Sequence, residues 1–159
     1  GANTKGIYLD ETVMRMCYTH RRIMARLAVQ LVSEGKDKEA AEVLDYCEKM
    51  LPAYNIPHNY ASGSLDMARA WAALGNNKNA IQMVNQLWKN SIQYATWYLN
   101  LDSQQFALSE DSCYMHIYIL NQLLQLGETV DEEWGKKQEP VLNSILRAFQ
   151  ERGGNLGAQ

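Results

Sequence analysis

The sequence has 159 residues, of which 47% are hydrophobic and 21% charged, and its formal net charge is −3. A chain of this length and composition can bury a packed core within one domain, which argues against wholesale disorder. The acidic balance argues against nucleic acid as a partner, because a nucleic-acid binder needs a basic surface. The three cysteines, Cys17, Cys47 and Cys113, show no disulfide framework, so their redox state stays open.

The first half of the chain predicts three helices. Asp10 caps a helix over 10–34 that ends at Gly35. Its predicted inward residues are Val13, Cys17, Met24, Leu27, Ala28 and Leu31. A second helix over 37–51 is predicted to bury Ala40, Val43, Leu44, Cys47 and Leu51. Two prolines bracket the loop PAYNIPHN, and a third helix follows over 60–74.

The second half predicts three more helices. The fourth spans 77–101, and the fifth spans 109–126, with Ser109 as its cap and Gly127 as its end. The sixth spans 131–151 and contains Pro140, which predicts a kink or a restart. No segment carries a strand signal, so the predicted fold is all-α, in a single domain over 1–159 with a flexible tail at 153–159. The start at GANTKG predicts that the sequence is a piece of a longer protein.

Small and apolar residues recur with a period of forty residues. Ala28, Leu31, Gly35, Ala40 and Leu44 correspond to Ala68, Trp71, Gly75, Ala80 and Val84. The small residues let two helices approach closely, and the glycine makes the tight turn between them. This pattern predicts antiparallel helix hairpins at about 10–51, 60–101 and 109–151, stacked into a solenoid.

At these positions the chain resembles the tetratricopeptide repeat (TPR) family. The first hairpin keeps the family's spacing from Leu27 to Pro52, and the second keeps it except that Ile92 stands where a proline is usual. The forty-residue period exceeds the family's usual 34, and the additional residues fit in the loop AYNIPHN. The third hairpin departs, with Leu120 in place of a small residue and Glu132 in place of alanine. The resemblance implies a TPR-like solenoid whose third hairpin is divergent or forms a cap.

Three segments, IYLDETVMRMCYTHRR, EKMLPAYNIPHNY and WYLNLD, resemble the C-terminal soluble region of large bacterial multi-pass membrane proteins. That family is glycosyltransferase-like and related to protein O-mannosyltransferases. The resemblance implies a helical-repeat appendage of a membrane-anchored protein, on the extracytoplasmic (periplasmic) side. It implies no catalytic residue here, because the family's catalytic groups would lie in the membrane-embedded part. No stretch of this sequence reaches the roughly 18 apolar residues that a membrane span needs.

Two motifs, CYTH at 17–20 and CYMH at 113–116, each place a cysteine and a histidine on one helix face. Together they supply a Cys2His2 set, which binds zinc at about 2.0–2.3 Å. In a solenoid the two helices lie two packing steps apart, roughly 20 Å, which excludes a shared ion. We therefore expect no metal and no other cofactor. Instead, Cys17, His20, Cys113 and His116 are predicted to pack on apolar helix stripes.

Catalytic motifs are scarce in the sequence. It has no glycine-rich phosphate loop, and ASGS opens a helix without a preceding strand, so it is not a nucleophile elbow. The domain is therefore predicted not to be an enzyme. Tyr94, Trp97, Tyr98 and Leu101 form an aromatic stripe on the fourth helix. This stripe is interpreted either as core packing against the fifth helix or as an exposed binding patch.

In TPR-like solenoids the first helices of successive hairpins line the concave face. The candidate binding residues on that face are Arg22, Arg26, Asp66, Arg69, Tyr118 and Asn121. The arginine cluster of the first helix (Arg15, Arg21, Arg22 and Arg26) indicates either a solvated face or a surface for an anionic partner. The predicted function is non-catalytic protein–protein interaction or scaffolding, with an acidic peptide in this groove. The alternative is a small-ligand-binding or enzymatic helical domain with a pocket in the concave face.

Overall fold

The computed structural model describes residues 1–155, which form six α-helices. These are α1 (Glu11–Ser33), α2 (Asp37–Met50), α3 (Ser64–Ala73), α4 (Asn77–Leu99), α5 (Ser103–Val130) and α6 (Glu132–Glu151). No strand occurs in residues 1–155, so the prediction of an all-α fold is confirmed. Residues 156–159 of the predicted tail lie outside the described part of the chain.

The chain divides into two compact units, Gly1–Leu87 and Trp88–Gln159, and the boundary falls inside α4. In the first unit, α1 packs against both α2 and α3, and α2 also contacts α3. In the second unit, α5 packs against α6. That residues 1–159 form a single domain stays a prediction.

The same turn ends α1 and α3. Gly35 and Gly75 have φ angles of 73° and 76°, a conformation that glycine adopts without strain. In each turn the glycine amide donates to the carbonyl three residues earlier, and the next amide donates to the carbonyl five residues earlier, at 2.9–3.0 Å. Both turns are therefore Schellman caps, and the forty-residue recurrence extends from the sequence to the backbone geometry.

Equivalent positions of the repeat are buried alike. The pairs with no exposed surface are Ala28 and Ala68, Ala40 and Ala80, and Leu44 and Val84. The predicted burial of Ala40 and Ala80 is therefore confirmed. A small side chain at these positions keeps neighbouring helix backbones close together, since protein interiors leave no room for additional methylene groups.

The inward face of α1 differs from the predicted one. Cys17 and Ala28 are buried as predicted, but Leu27 is 47% exposed, so its predicted inward position is wrong. Arg21 and Ala25 are buried instead. The reason is geometric: Leu27 lines an open groove between α1 and α2, together with Met24 and Val43.

The third helix begins later than predicted, at Ser64 rather than near residue 60. Residues 59–63 form a turn instead, in which Oδ1 of Asn59 accepts the Ala61 amide at 2.9 Å. The turn approaches α1 at Gly63, where a Cβ atom would lie 2.7 Å from the Cα of Arg22. A glycine therefore fits at this contact, and a side chain would force the turn away from α1.

The fifth helix is longer than predicted at both ends. Ser109 and Gly127, its predicted cap and stop, both lie inside it. Asp102 is the cap instead, and its Oδ1 accepts the Gln105 amide at 2.8 Å. Gly127 is buried against α6, where a Cβ atom would overlap the ring of Trp134. This glycine therefore permits a close helix crossing and does not form a turn.

The sixth helix continues through Pro140, so the predicted restart there is wrong. Oδ1 of Asp131 caps the helix by accepting the Trp134 amide at 3.0 Å. Pro140 lies on an exposed side of the helix, where water can replace the amide donor that proline lacks.

Candidate binding pocket around His58

One buried arginine fixes the loop between α2 and α3 to α1. Arg21 has no exposed surface, and its guanidinium donates to the carbonyls of Leu51 (2.8 Å), Ile56 (2.6 Å) and Pro57 (3.1 Å). Burial lowers the pKa of Arg21, and the three carbonyls replace the water that it loses. Arg21 is therefore neither part of a solvated face nor part of a surface for an anionic partner. It positions the loop that carries His58.

A chain of hydrogen bonds fixes the ring proton of His58. Ser62 accepts the Asn59 amide at 3.0 Å and donates its hydroxyl proton to the Asn59 carbonyl at 2.9 Å. Ser64 therefore donates to Ser62, at 2.6 Å, because Ser62 has no second proton to give. The Ser64 oxygen then accepts from Nδ1 of His58, also at 2.6 Å. In the neutral ring the proton therefore lies on Nδ1, and Nε2 carries none.

The Nε2 atom of His58 faces a carboxylate. It lies 3.4 Å from Oε1 of Glu48, close enough for an ion pair when the ring is protonated. Oε1 is itself buried, and beside the neutral ring it has no hydrogen-bond donor within the described residues. A donor group that enters from the adjoining space would supply the hydrogen bond that this oxygen lacks.

His58 and Glu48 both line a pocket of about 240 Å³ in the first unit, here called the His58 pocket. Its lining comes from α2, the following loop, α3 and the start of α4: Asp45, Glu48, Ala53, His58, Trp71, Asn79, Gln82, Met83 and Gln86. Two of these residues are carboxylates, three are amides, and none is lysine or arginine. A lining of this kind attracts a positively charged group and repels an anion.

The order serine–histidine–glutamate resembles a hydrolytic triad, but its geometry does not suit nucleophilic catalysis. Ser62 and Ser64 have no exposed surface, so no substrate reaches their oxygen atoms. The polar groups that face the pocket are carboxylates, amides and one imidazole, and the rest of its lining is apolar. These groups are suited to hold a cation by charge and hydrogen bonds.

The predicted arginines of α1 differ in their surroundings. Arg22 donates to the carbonyl of Ala61 and to Oγ1 of Thr19, both at 2.9 Å, so its guanidinium is held against the turn before α3. Arg26, one turn later, is exposed. Neither residue lines the His58 pocket.

The other predicted binding residues lie on α3 and α5. The structure brings Asp66 and Arg69 together as an ion pair on α3, at 3.3 Å. Neither of them lines the His58 pocket. In the second unit, Tyr118 is 56% exposed on α5, and Asn121 is exposed on the same helix.

The two Cys–His motifs differ in burial. Cys17 is buried but His20 is exposed, so the predicted packing of His20 is wrong. Cys113 and His116 are both buried. Burial raises the pKa of the Cys113 thiol to about 11 and lowers the pKa of His116. Among residues 1–155, no group of three or more His, Cys, Asp or Glu side chains is placed to hold a metal ion.

The aromatic stripe of α4 combines both interpretations. Tyr94 stacks on His116 of α5, with ring centroids 4.6 Å apart, yet 41% of Tyr94 is exposed. Trp97 is 59% exposed and packs edge-on against Tyr98. Together with Asn90 and Gln93, Tyr94 and Trp97 line a groove in the second unit.

Sequence reasoning missed both Arg21 and His58. The signal for Arg21 is its spacing, since it follows Cys17 by one helical turn on the buried stripe. The signal for His58 is its place in the loop that exceeds the usual repeat length. Neither signal indicates which atoms meet, because the contacts of both residues come from distant parts of the chain.

In comparisons with protein-family models, curated proteins and solved structures, no match to this chain was found. Every helix in residues 1–155 is too short or too polar to cross a membrane.

Proposed function

We propose that the chain is a non-catalytic protein-interaction domain, built as a TPR-like solenoid of three helix hairpins. The repeated Schellman turns and the paired buried alanines support this arrangement for the first two hairpins. The contact between α1 and α3 is the one expected of first helices in neighbouring hairpins. In this proposal α5 and α6 are the third hairpin, which departs from the repeat at Gly127.

In this proposal the His58 pocket receives one positively charged side chain of the partner. The observation that carries it is the pair of carboxylates, Asp45 and Glu48, in a lining without lysine or arginine. An ammonium or guanidinium group is attracted by both charges. It also donates hydrogen bonds, which Oε1 of Glu48 lacks.

The size of the pocket favours a single side chain over a small-molecule substrate. Its volume of about 240 Å³ is below the roughly 300 Å³ at which small-molecule sites begin. The serines behind His58 have no exposed surface. Both observations make the small-ligand-binding or enzymatic alternative the weaker proposal.

A second candidate is the docking of an acidic peptide on the arginines of α1 and α3. The exposure of Arg26 favours this candidate. Arg22 and Arg69 favour it less, because both guanidinium groups already have partners within the first unit. If this candidate is correct, the double change Arg26→Glu, Arg69→Glu abolishes capture of the partner while the helical circular-dichroism signal stays intact.

The resemblance to multi-pass membrane proteins supports a further proposal, that the domain is attached to a membrane-embedded, glycosyltransferase-like protein on its extracytoplasmic side. The similarity lies in IYLDETVMRMCYTHRR, EKMLPAYNIPHNY and WYLNLD. A reporter enzyme that is active only outside the cytoplasm, fused after this domain in the longer protein, tests the location. We expect an active fusion, and an inactive but fully expressed fusion would contradict the proposal.

The test of the pocket is a titration of the isotope-labelled chain with N-acetyl-lysine methylamide, followed by NMR. We expect shift changes confined to the residues around His58 and Trp71. The double change Asp45→Asn, Glu48→Gln keeps the shapes of both side chains and removes their charges. It should weaken binding at least about tenfold, because each carboxylate attracts the ammonium group directly.

Two controls sharpen this titration. Glu139→Gln removes one exposed carboxylate from α6, and its binding should equal that of the unchanged chain. N-acetyl-aspartate methylamide, which carries the opposite charge, should cause no shift changes at the pocket. Equal binding by the double variant would overturn the proposal, and so would a preference for the aspartate probe.

A further inference from the structure

A second surface of the first unit is apolar, exposed and bordered by acidic residues. It lies along α1 and α2 and consists of Met24, Leu27, Glu39, Glu42, Val43 and Tyr46, here called the outer face. Leu27 is 47% exposed and Tyr46 is 55% exposed. Apolar side chains grouped in this way on two adjacent helices are typical of an interaction surface.

The internal repeat contains an equivalent of this surface that is partly covered. Forty residues later, the six outer-face positions are occupied by Ser64, Met67, Asn79, Gln82, Met83 and Gln86. Met67, the equivalent of Leu27, has no exposed surface, and Met83, the equivalent of Val43, is 5% exposed. The apolar positions of this helix pair are therefore buried in the second hairpin, whereas Leu27 is exposed in the first; the polar position Gln82 is exposed in the second hairpin as well.

The covering element in the second hairpin is a helix. Sγ of Cys47, on α2, lies 4.0 Å from Sδ of Met67. Asp45 and Glu48, on either side of it in sequence, share the His58 pocket with Met83. The carboxyl-terminal half of α2 thus lies against Met67, the equivalent of Leu27, and borders the His58 pocket, which the equivalents of Glu39, Glu42, Val43 and Tyr46 line. Because the outer face occupies the equivalent positions of the first hairpin, we expect a helix to fit there too.

The charges on the outer face determine which kind of helix can bind there. In the second hairpin the carboxylates of α2 share a pocket with the neutral amides of Asn79 and Gln82. The outer-face residues equivalent to Asn79 and Gln82 are Glu39 and Glu42. Their charges would repel a helix that carried acidic residues at the positions of Asp45 and Glu48. They would attract lysine or arginine there instead.

We propose that the outer face binds an amphipathic α-helix of a partner protein, with basic residues at the positions that correspond to Asp45 and Glu48 of α2. Its apolar side chains cover Leu27 and Tyr46, as Cys47 covers Met67 in the second hairpin. Its basic side chains pair with Glu39 and Glu42. This binding does not require the His58 pocket, whose lining shares no residue with the outer face.

The segment of α2 that contacts the second hairpin supplies the peptide that tests this proposal. It is a fluorescent peptide with the sequence of residues 37–58 in which Asp45 and Glu48 are replaced by lysine, and it is titrated with the full chain under reducing conditions. The peptide with the unchanged sequence is the matched control. Fluorescence anisotropy should show the lysine peptide binding at least about tenfold more tightly than the unchanged one, with a preference that decreases as salt screens the charges.

Three variants of the chain locate the binding. Leu27→Glu places a charge in the outer face and should abolish binding, whereas Leu108→Glu changes a leucine that is 90% exposed in the second unit and should not. The double change Glu39→Lys, Glu42→Lys should reverse the preference, so that the unchanged peptide binds more tightly. The pocket variant Asp45→Asn, Glu48→Gln should bind the lysine peptide normally, which separates this inference from the proposal for the His58 pocket.

Each contrary result has a definite meaning. Undiminished binding by Leu27→Glu, or an unreversed preference after the charge exchange, would overturn the proposal. Sedimentation of the chain alone gives a further check. A dimer that Leu27→Glu dissociates would show that a second copy covers the outer face, and this too would overturn the proposal of a partner helix.

Discussion

At the scale of single residues, the arrangement of the first unit depends on a buried cation. Arg21 donates hydrogen bonds to three carbonyl groups of the loop that follows α2, those of Leu51, Ile56 and Pro57. The loop in turn carries His58, Ser62 and Ser64, whose hydrogen bonds direct the His58 ring toward Glu48. One arginine on α1 thereby positions the loop that contributes His58 to the pocket.

The substitution Arg21→Met tests this role. Methionine keeps much of the volume of the side chain and leaves the carbonyls of Leu51, Ile56 and Pro57 without their donor. We expect the free energy of unfolding to fall by roughly 3 kcal/mol or more, because buried acceptors without donors are costly. Urea denaturation measures the change. Arg15→Met, at an exposed arginine 3.4 Å from Glu11, is the control and should leave the stability unchanged.

His116 gives the second unit a predictable response to acid. Burial lowers its pKa below the ordinary value of 6.5, so the folded chain holds the neutral ring. Below pH 6.5 the unfolded chain takes up a proton that the folded chain does not, which favours unfolding. The stability contributed by the neutral ring is therefore complete above pH 6.5 and is lost progressively as the pH falls below it.

Urea denaturation of the unchanged chain and of His116→Gln at pH 7.5 and pH 5.5 checks this prediction. The unchanged chain should lose more stability on acidification than the variant does. His20→Gln, which changes an exposed histidine, should behave like the unchanged chain. An equal loss in all three proteins would mean that the His116 ring does not resist protonation.

At the scale of elements, the helix hairpin is the repeated structure, and its close packing depends on alanine. Ala40 and Ala80 have no exposed surface at equivalent positions of α2 and α4. Each follows a Schellman turn by five residues, so the turn and the close contact form one structural unit. A larger side chain there would separate helices that the turn holds together.

We therefore expect Ala40→Leu to lower the free energy of unfolding by about 1–3 kcal/mol, through overpacking at the contact. Ala107→Leu introduces the same side chain at an exposed position of α5 and should have little effect. Thermal denaturation of both variants measures the difference. An unchanged melting temperature for Ala40→Leu would contradict the close packing of the first hairpin.

Local signals in the sequence predict the helix ends that local chemistry determines. Oδ1 of Asp10 accepts the Val13 amide at 2.9 Å, and Gly35 provides the turn, so both ends of α1 are readable from the sequence. Gly127 carries the same local signal as Gly35 but is buried beside Trp134. A tertiary contact determines its role, and spacing along the sequence does not contain that contact.

At the scale of the whole molecule, charge connects the two proposed binding surfaces. The helix α2 carries Glu39 and Glu42 on the outer face and Asp45 and Glu48 in the His58 pocket. Both surfaces therefore suit cationic partners, in a chain whose formal net charge is −3. The sequence suggests a basic binding surface instead, since it shows the arginines of α1 but not that Arg21 is buried.

The most direct test of the account is whether a cationic side chain enters the His58 pocket. Intermolecular nuclear Overhauser effects between N-acetyl-lysine methylamide and the chain measure this contact. We predict effects from the ε-methylene protons of the lysine to the ring protons of His58 and Trp71. The uncharged analogue N-acetyl-norleucine methylamide, of similar shape, should show none. The absence of these effects with the lysine analogue, or their equal presence with the norleucine analogue, would contradict the account.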